Sequence, residues 1–167
     1  MNITNYEFLT LLIGVLTLIF ILIRVLLLSK TFKADHERKR KQSTIEYLNT
    51  IRSQYLPLQL KVTRIFGFGN NVKIDELNDD IEDTIVELLA ILENLSIGVN
   101  IGVYDIQVVN RYSGDYFINL YNKLQPYIDH LRYRDSKTSY FIEFENMKDT
   151  IIGMRKKSSE KGNIQYS

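Results

Sequence analysis

The chain contains no cysteine and no tryptophan, and only 2 prolines, 2 histidines and 8 glycines in 167 residues. Without cysteine there is no disulfide framework, no thiolate zinc or iron–sulfur site and no thiol nucleophile, and a reducing compartment is permitted. The length leaves room for one domain of ordinary size. His36 and His130 stand far apart, and neither a Gly-x-Ser-x-Gly elbow nor a His-Glu-x-x-His motif occurs. Gly67-x-Gly69 is followed by Asn70-Asn71, without the third glycine or the preceding strand of a dinucleotide fingerprint. The expectation is a protein with no catalytic residues, no metal and no cofactor, and not an enzyme.

Charge is scarce in one place. From Phe8 to Leu28 the chain reads FLTLLIGVLTLIFILIRVLLL, 21 residues with a single charge at Arg24. At the helical rise this run covers roughly 30 Å, the thickness of a bilayer's hydrocarbon core. Met1 to Glu7 has no Lys or Arg and no small-residue cleavage pattern follows the run, so the expectation is a retained anchor and not a signal peptide. Arg24, Lys30, Lys33 and the run Arg38, Lys39, Arg40, Lys41 all follow it. The positive-inside rule then puts the N-terminus outside and everything after residue 30 in the cytoplasm. On a helical wheel Thr10, Gly14, Thr17 and Arg24 fall within about 80° of one another. Small and polar groups on one face are what membrane helices associate through, which makes the stripe a candidate homo-oligomer seam. The simpler alternative is that Arg24 snorkels to the cytoplasmic headgroups.

After the run the pattern is helical, and strand-like alternation never persists. Apolar residues from Ile45 through Ile65 recur at steps of three, four and seven, and Ser43-Thr44-Ile45-Glu46 matches a capping box. Pro57 should kink this helix or begin another. Gly67 to Asn71 is a loop, and Ile74, Leu77, Ile81, Ile85, Leu88, Leu92, Leu95 and Val99 mark a long amphipathic helix. Asp105 can cap a short helix that Ser113-Gly114-Asp115 breaks, Phe117 to Leu131 defines the next, and a last one spans about residues 140–154. The expected fold is all-α: a transmembrane helix followed by a cytoplasmic helical bundle. Residues 1–35 would form the anchor and juxtamembrane segment, 36–157 the bundle and 158–167 a polar basic tail.

The net charge of +1 conceals segregation. Residues 24–66 carry +7 and residues 73–96 carry −7. Asp75, Asp79, Asp83 and Glu87 repeat at every fourth position and form an acidic stripe, which costs the helix through like-charge repulsion. Three readings stay open for it: a solvated face, pairing with the basic helix around Arg38 to Lys41, or a divalent metal. The basic run can meet anionic lipid only if the chain bends near Ser29 to Lys33, because a straight helix carries Arg38 about 15 Å past Leu28, beyond the roughly 8 Å screening length. Nucleic acid is not an expected partner, since no aromatics interleave with the basic residues. Glu93 lies among Leu88, Leu89, Leu92 and Leu95, and a half-buried carboxylate needs a partner. A structural ion pair with Arg132 or Arg52 is the bland reading, and a raised-pKa acid in a cleft the sharp one.

The segments Leu89 to Gly98, Gly102-Val-Tyr-Asp105, Tyr121 to Arg132 and Phe141-Ile-Glu143-Phe-Glu145 resemble the bacterial family of small membrane-anchored helical proteins called domain of unknown function 4760. The resemblance covers about residues 35–150 and departs at Tyr121, where the family pattern suggests Trp. It implies a helix end carrying Glu93, a glycine turn before Asp105 and a Pro126 to Arg132 segment closing the bundle. It implies no activity.

The expected function is that of a non-enzymatic single-pass membrane protein whose bundle self-associates or binds an unidentified protein partner. With 21 Ile, 13 Asn and 12 Lys against 2 Ala, the composition resembles translation from an AT-rich bacterial genome or acquired island, which ranks an antiviral-defence effector or accessory subunit high. The alternatives are a static scaffold that recruits a soluble partner, and an enzyme using Glu93.

Overall fold

A computed structural model describes residues 5–67 and 69–164. Among them four α-helices and one 3-10 turn follow in order: α1 (Asn5–Phe66), the turn Ile74–Glu76, α2 (Asp79–Asn100), α3 (Ile106–Arg134) and α4 (Ile142–Ile164). No strand occurs among the described residues. A long apolar N-terminal helix is thus followed by a helical bundle. Contacts divide the chain into two compact units, Met1–Lys39 and Arg40–Ser167.

In the first unit no residue from Phe8 to Lys39 is buried. The helix there is long and apolar enough to cross a membrane.

The second unit holds the core. Leu48, Ile51, Tyr55 and Val62 of α1 meet Ile85, Leu88, Leu92 and Leu95 of α2, with Phe117, Tyr121, Leu124 and Ile128 of α3 and Phe144, Met147 and Ile151 of α4. Each such fully buried side chain contributes about 1.5–3 kcal/mol relative to exposure. The helical spacing of these residues in the sequence is the spacing found inside. Ile45 and Ile65, at the ends of the α1 pattern, are exposed.

The helix boundaries have local causes. Asn78 caps α2 by accepting a hydrogen bond from the Ile81 N–H at 3.0 Å. Asp79, Asp80 and Glu82 then sit in the first turn, where the helix dipole favours them. Gly102, at φ 80°, reverses the chain so that its N–H returns to Val99 O and the Tyr104 N–H to Gly98 O. Asp105 caps α3, as its position predicts. The break expected at Ser113 is there too, with φ −157° and ψ 29° inside α3.

Two expected boundaries are absent. α1 runs unbroken through Ser43 and Thr44, so the capping-box sequence caps nothing; the Thr44 hydroxyl donates instead to Arg40 O, four residues back, at 2.7 Å. Nor does a helix begin at Pro57, which lies inside α1. α4 extends past the expected 154 to Ile164.

Candidate functional site

A buried polar constellation joins α1 to the α2–α3 turn. Arg40 opens the second unit, and one turn later Thr44 is wholly buried. The Thr44 hydroxyl accepts a hydrogen bond from the Asp105 N–H at 2.9 Å while donating to Arg40 O. Asp105 is 3% exposed, and its two carboxylate oxygens divide the work. Oδ1 accepts from the Gln107 and Val108 N–H groups at 2.9 and 3.2 Å, and Oδ2 takes the Arg40 guanidinium at 2.9 Å. Burial pushes the Asp105 carboxyl up, but the Val108 N–H, the Arg40 guanidinium and the Gln107 N–H together outweigh it and hold the group below the usual carboxylate range. Arg40 Nε is buried without a hydrogen-bond partner among the described residues, and Asp105 is the carboxylate paired with this guanidinium.

An aromatic clasp sits beside this pair. The rings of Tyr47 and Tyr104 stack with centroids 4.4 Å apart and planes 16° from parallel. Tyr104 lies directly over Gly98, where an added Cβ would come within 2.4 Å of its ring. A glycine on α2 is therefore what admits the ring that α1 grips.

At the opposite edge of α2, Glu93 does not form the expected pair. Arg132 pairs with Glu145 at 2.8 Å and donates through Nε to Tyr140 O. Glu93 instead accepts hydrogen bonds from the Glu143 and Phe144 N–H groups, at 3.2 and 2.8 Å, in the first turn of α4. The reason is local: Phe141 precedes α4 at φ 55° and carries no acceptor, so a carboxylate from another helix does the capping. Burial pushes Glu93 up more than the Phe144 and Glu143 N–H groups pull it down. Arg132 acts on it only through space. Arg52, the other expected partner, lies near Tyr112 and Tyr55.

The remaining predicted residues fall into three groups. Thr10, Gly14, Thr17 and Arg24 all lie on the apolar part of α1. A Cβ on Gly14 would meet nothing, the Thr17 hydroxyl is already donated to Ile13 O at 2.8 Å, and the Arg24 guanidinium sits 5.4 Å from the Phe20 ring centroid. Of the basic run, Arg40 is withdrawn into the Asp105 pair and Lys39 pairs with Asp35 at 2.9 Å, while Arg38 and Lys41 are exposed. The acidic stripe does not survive as drawn. Asp75 belongs to the 3-10 turn, because Asn78 starts α2 after it; Asp79, Asp83 and Glu87 keep the spacing and are exposed. The carboxylates that find cations are their neighbours, Asp80 with Lys61 at 2.7 Å and Glu82 with Arg134 at 3.1 Å. Among the described residues no three His, Asp or Glu side chains converge to hold a metal ion.

A family model described as Domain of unknown function (DUF4760) matches residues 7–150. The chain belongs to the DUF4760 family. The match takes in the apolar run as well as the helices that carry the Arg40, Thr44 and Asp105 junction, so the DUF4760 pattern is broader than the residues 35–150 that bear the resemblance. No curated protein and no solved structure matches the chain.

Proposed function

We propose that the protein is a single-pass membrane protein in which Phe8 to Leu28 is the anchor and the bundle from Arg40 onward is a cytoplasmic module that self-associates or binds a protein partner. One observation carries this reading: within the region that the family model matches, 21 consecutive residues with a single charge are all exposed, whereas the bundle packs a contiguous apolar core of its own. An exposed apolar surface of this extent needs lipid or another copy of itself. The cation-rich flank of the run supports a cytoplasmic bundle.

Self-association is read onto Thr10, Gly14, Thr17 and Arg24. A membrane seam forms where backbones approach closely, and Gly14 leaves that approach open. Within the second unit, the Arg40–Asp105 and Thr44–Asp105 contacts and the core residues from Leu48 to Val62 make the C-terminal part of α1 an integral helix of the bundle.

The test is the mass of the intact protein in a mild detergent, with bound detergent subtracted, by light scattering or native mass spectrometry. A defined homo-oligomer that dissociates in Gly14→Leu or Arg24→Leu supports the seam. A monomer throughout rejects it and leaves the bundle as the recruiting element.

A further inference from the structure

The outward face of α2 is apolar where a solvent-facing helix surface is ordinarily polar. Asp79, Asp83, Val86, Ala90, Ile97 and the C-cap Ile101 fall within about 60° on a helical wheel, opposite the buried Leu88 and Leu92. Val86 and Ile97 are each 40% exposed and Ile101 70%. The stripe is thus acidic in its first half and apolar in its second. α2 contains no Lys or Arg, and Asp79, Asp83 and Glu87 form no ion pair among the described residues.

The outward face of α1 within the bundle carries the complement. Ile45 and Leu60 are exposed there, and Arg64 lies one turn beyond Leu60, exposed and without an ion pair among the described residues. We propose that the bundle self-associates through these two faces, the outward face of α2 in one copy packing on the outward face of α1 in the next. This deepens the self-association reading and rests on it, since copies anchored in one membrane stand side by side in the same orientation.

Orientation and length select this pairing. Lys61 meets Asp80 and Arg40 meets Asp105, so α1 and α2 run antiparallel within the bundle. A neighbour in the same orientation therefore lays its α1 antiparallel along α2. Its Arg64 then stands at the Asp79 and Asp83 end, and its Ile45 at the Ile97 and Ile101 end. The spans agree by helical rise: about 29 Å from Ile45 to Arg64 and about 27 Å from Asp79 to Ile97.

The other pairings of the same faces fail on charge. Two α2 helices in the same orientation set Asp83 against Asp83, and reversing one sets Ile97 against Asp79. Two α1 helices in the same orientation set Arg64 against Arg64. Only the α2-on-α1 arrangement covers exposed apolar side chains and also brings the free carboxylates to a cation. Because the two faces differ, the contact is heterologous and repeats from copy to copy until a ring closes.

The experiment co-expresses two differently tagged full-length chains, one carrying Ser53→Cys and the other Ala90→Cys, and oxidises the membranes. These positions meet in the proposed register, and the distinct tags make every mixed disulfide intermolecular. The mixed dimer should dominate over the dimer that either variant forms when expressed alone. Arg64→Glu in the Ser53→Cys chain should abolish it without lowering the melting temperature, and Asp83→Lys in the Ala90→Cys chain should restore it. A mixed dimer no stronger than the self-dimers, or one indifferent to Arg64→Glu, overturns the proposal. The mass of the parent protein in detergent separates the two levels. An oligomer without the mixed crosslink overturns this interface and spares self-association, whereas a monomer without it overturns both and leaves the face to another protein.

Discussion

The Asp105 carboxylate binds the Arg40 guanidinium at 2.9 Å while its other oxygen caps α3. One buried side chain thereby fixes both the start of a helix and the place where α1 enters the bundle. Asp105→Ala removes the cap and leaves Arg40, whose Nε is already buried and unpaired, without its anion. The expected loss is about 2–3 kcal/mol in the urea unfolding of the bundle. Arg40→Leu should cost less, about 1 kcal/mol, since Asp105 keeps its two backbone donors and the arginine is partly exposed. A double mutant no worse than Asp105→Ala alone would establish the coupling.

Asp105 and Glu93 should give stability opposite pH dependences. Asp105 titrates below its ordinary range when folded, so its contribution is present above the unfolded carboxylate pKa and is lost as pH falls through the lower folded value. Glu93 titrates above its ordinary range, so the folded state holds that proton more tightly. Its contribution is fully present below the unfolded pKa and declines as pH rises through the folded one. Chemical unfolding between pH 3 and 7 should therefore show a flatter acid limb in Asp105→Asn and a steeper one in Glu93→Gln. Identical slopes in both variants and the parent would contradict these assignments.

Three glycines should respond differently to the same methyl group. At Gly98 a Cβ would lie 2.4 Å from the Tyr104 ring, and at Gly114 it would lie 2.5 Å from Asn110 Oδ1 and 2.7 Å from Arg155 Nη2. Gly98→Ala should lower stability by about 1–3 kcal/mol, and Gly114→Ala by less, because the crowding atoms there are the ends of the Asn110 and Arg155 side chains, which can turn aside. At Gly153, inside α4, nothing lies within 4 Å, and Gly153→Ala should raise stability by about 0.5–1 kcal/mol through helix propensity. Thermal unfolding of the three variants separates these signs. Gly98→Ala should lose most of its penalty when Tyr104 is first changed to Leu.

Much of this architecture is legible in the sequence, because helical burial has a period. The steps from Ile81 to Val99 predict the face of α2 that is buried, and the Asp105 cap and the Ser113 break follow from local residue chemistry. What escapes is set by contacts across the fold. Glu93 reads as a carboxylate in need of a partner, yet spacing cannot reveal that the partner is the first turn of α4, fifty residues on, whose own preceding residue is Phe141. Thr44 has the local pattern of a helix start, but the continuing helix and the Asp105 N–H give its hydroxyl other work. Asp75 shares the fourfold spacing of the acidic residues, and only Asn78, a better cap three residues later, separates it from α2.

The central claim is that Phe8 to Leu28 crosses a membrane with the bundle on the cytoplasmic side. Because the chain has no cysteine, single cysteines can be placed without removing any. We would introduce Asn5→Cys, Leu18→Cys and Gln54→Cys separately and expose each variant, in intact bacteria, to a membrane-impermeant maleimide. The account predicts labelling of the Asn5 variant in intact cells, of the Gln54 variant only after permeabilisation, and of the Leu18 variant only after denaturation in detergent. Labelling of the Leu18 variant as fast as the Gln54 variant in permeabilised cells would show that the run lies in water and would contradict the account.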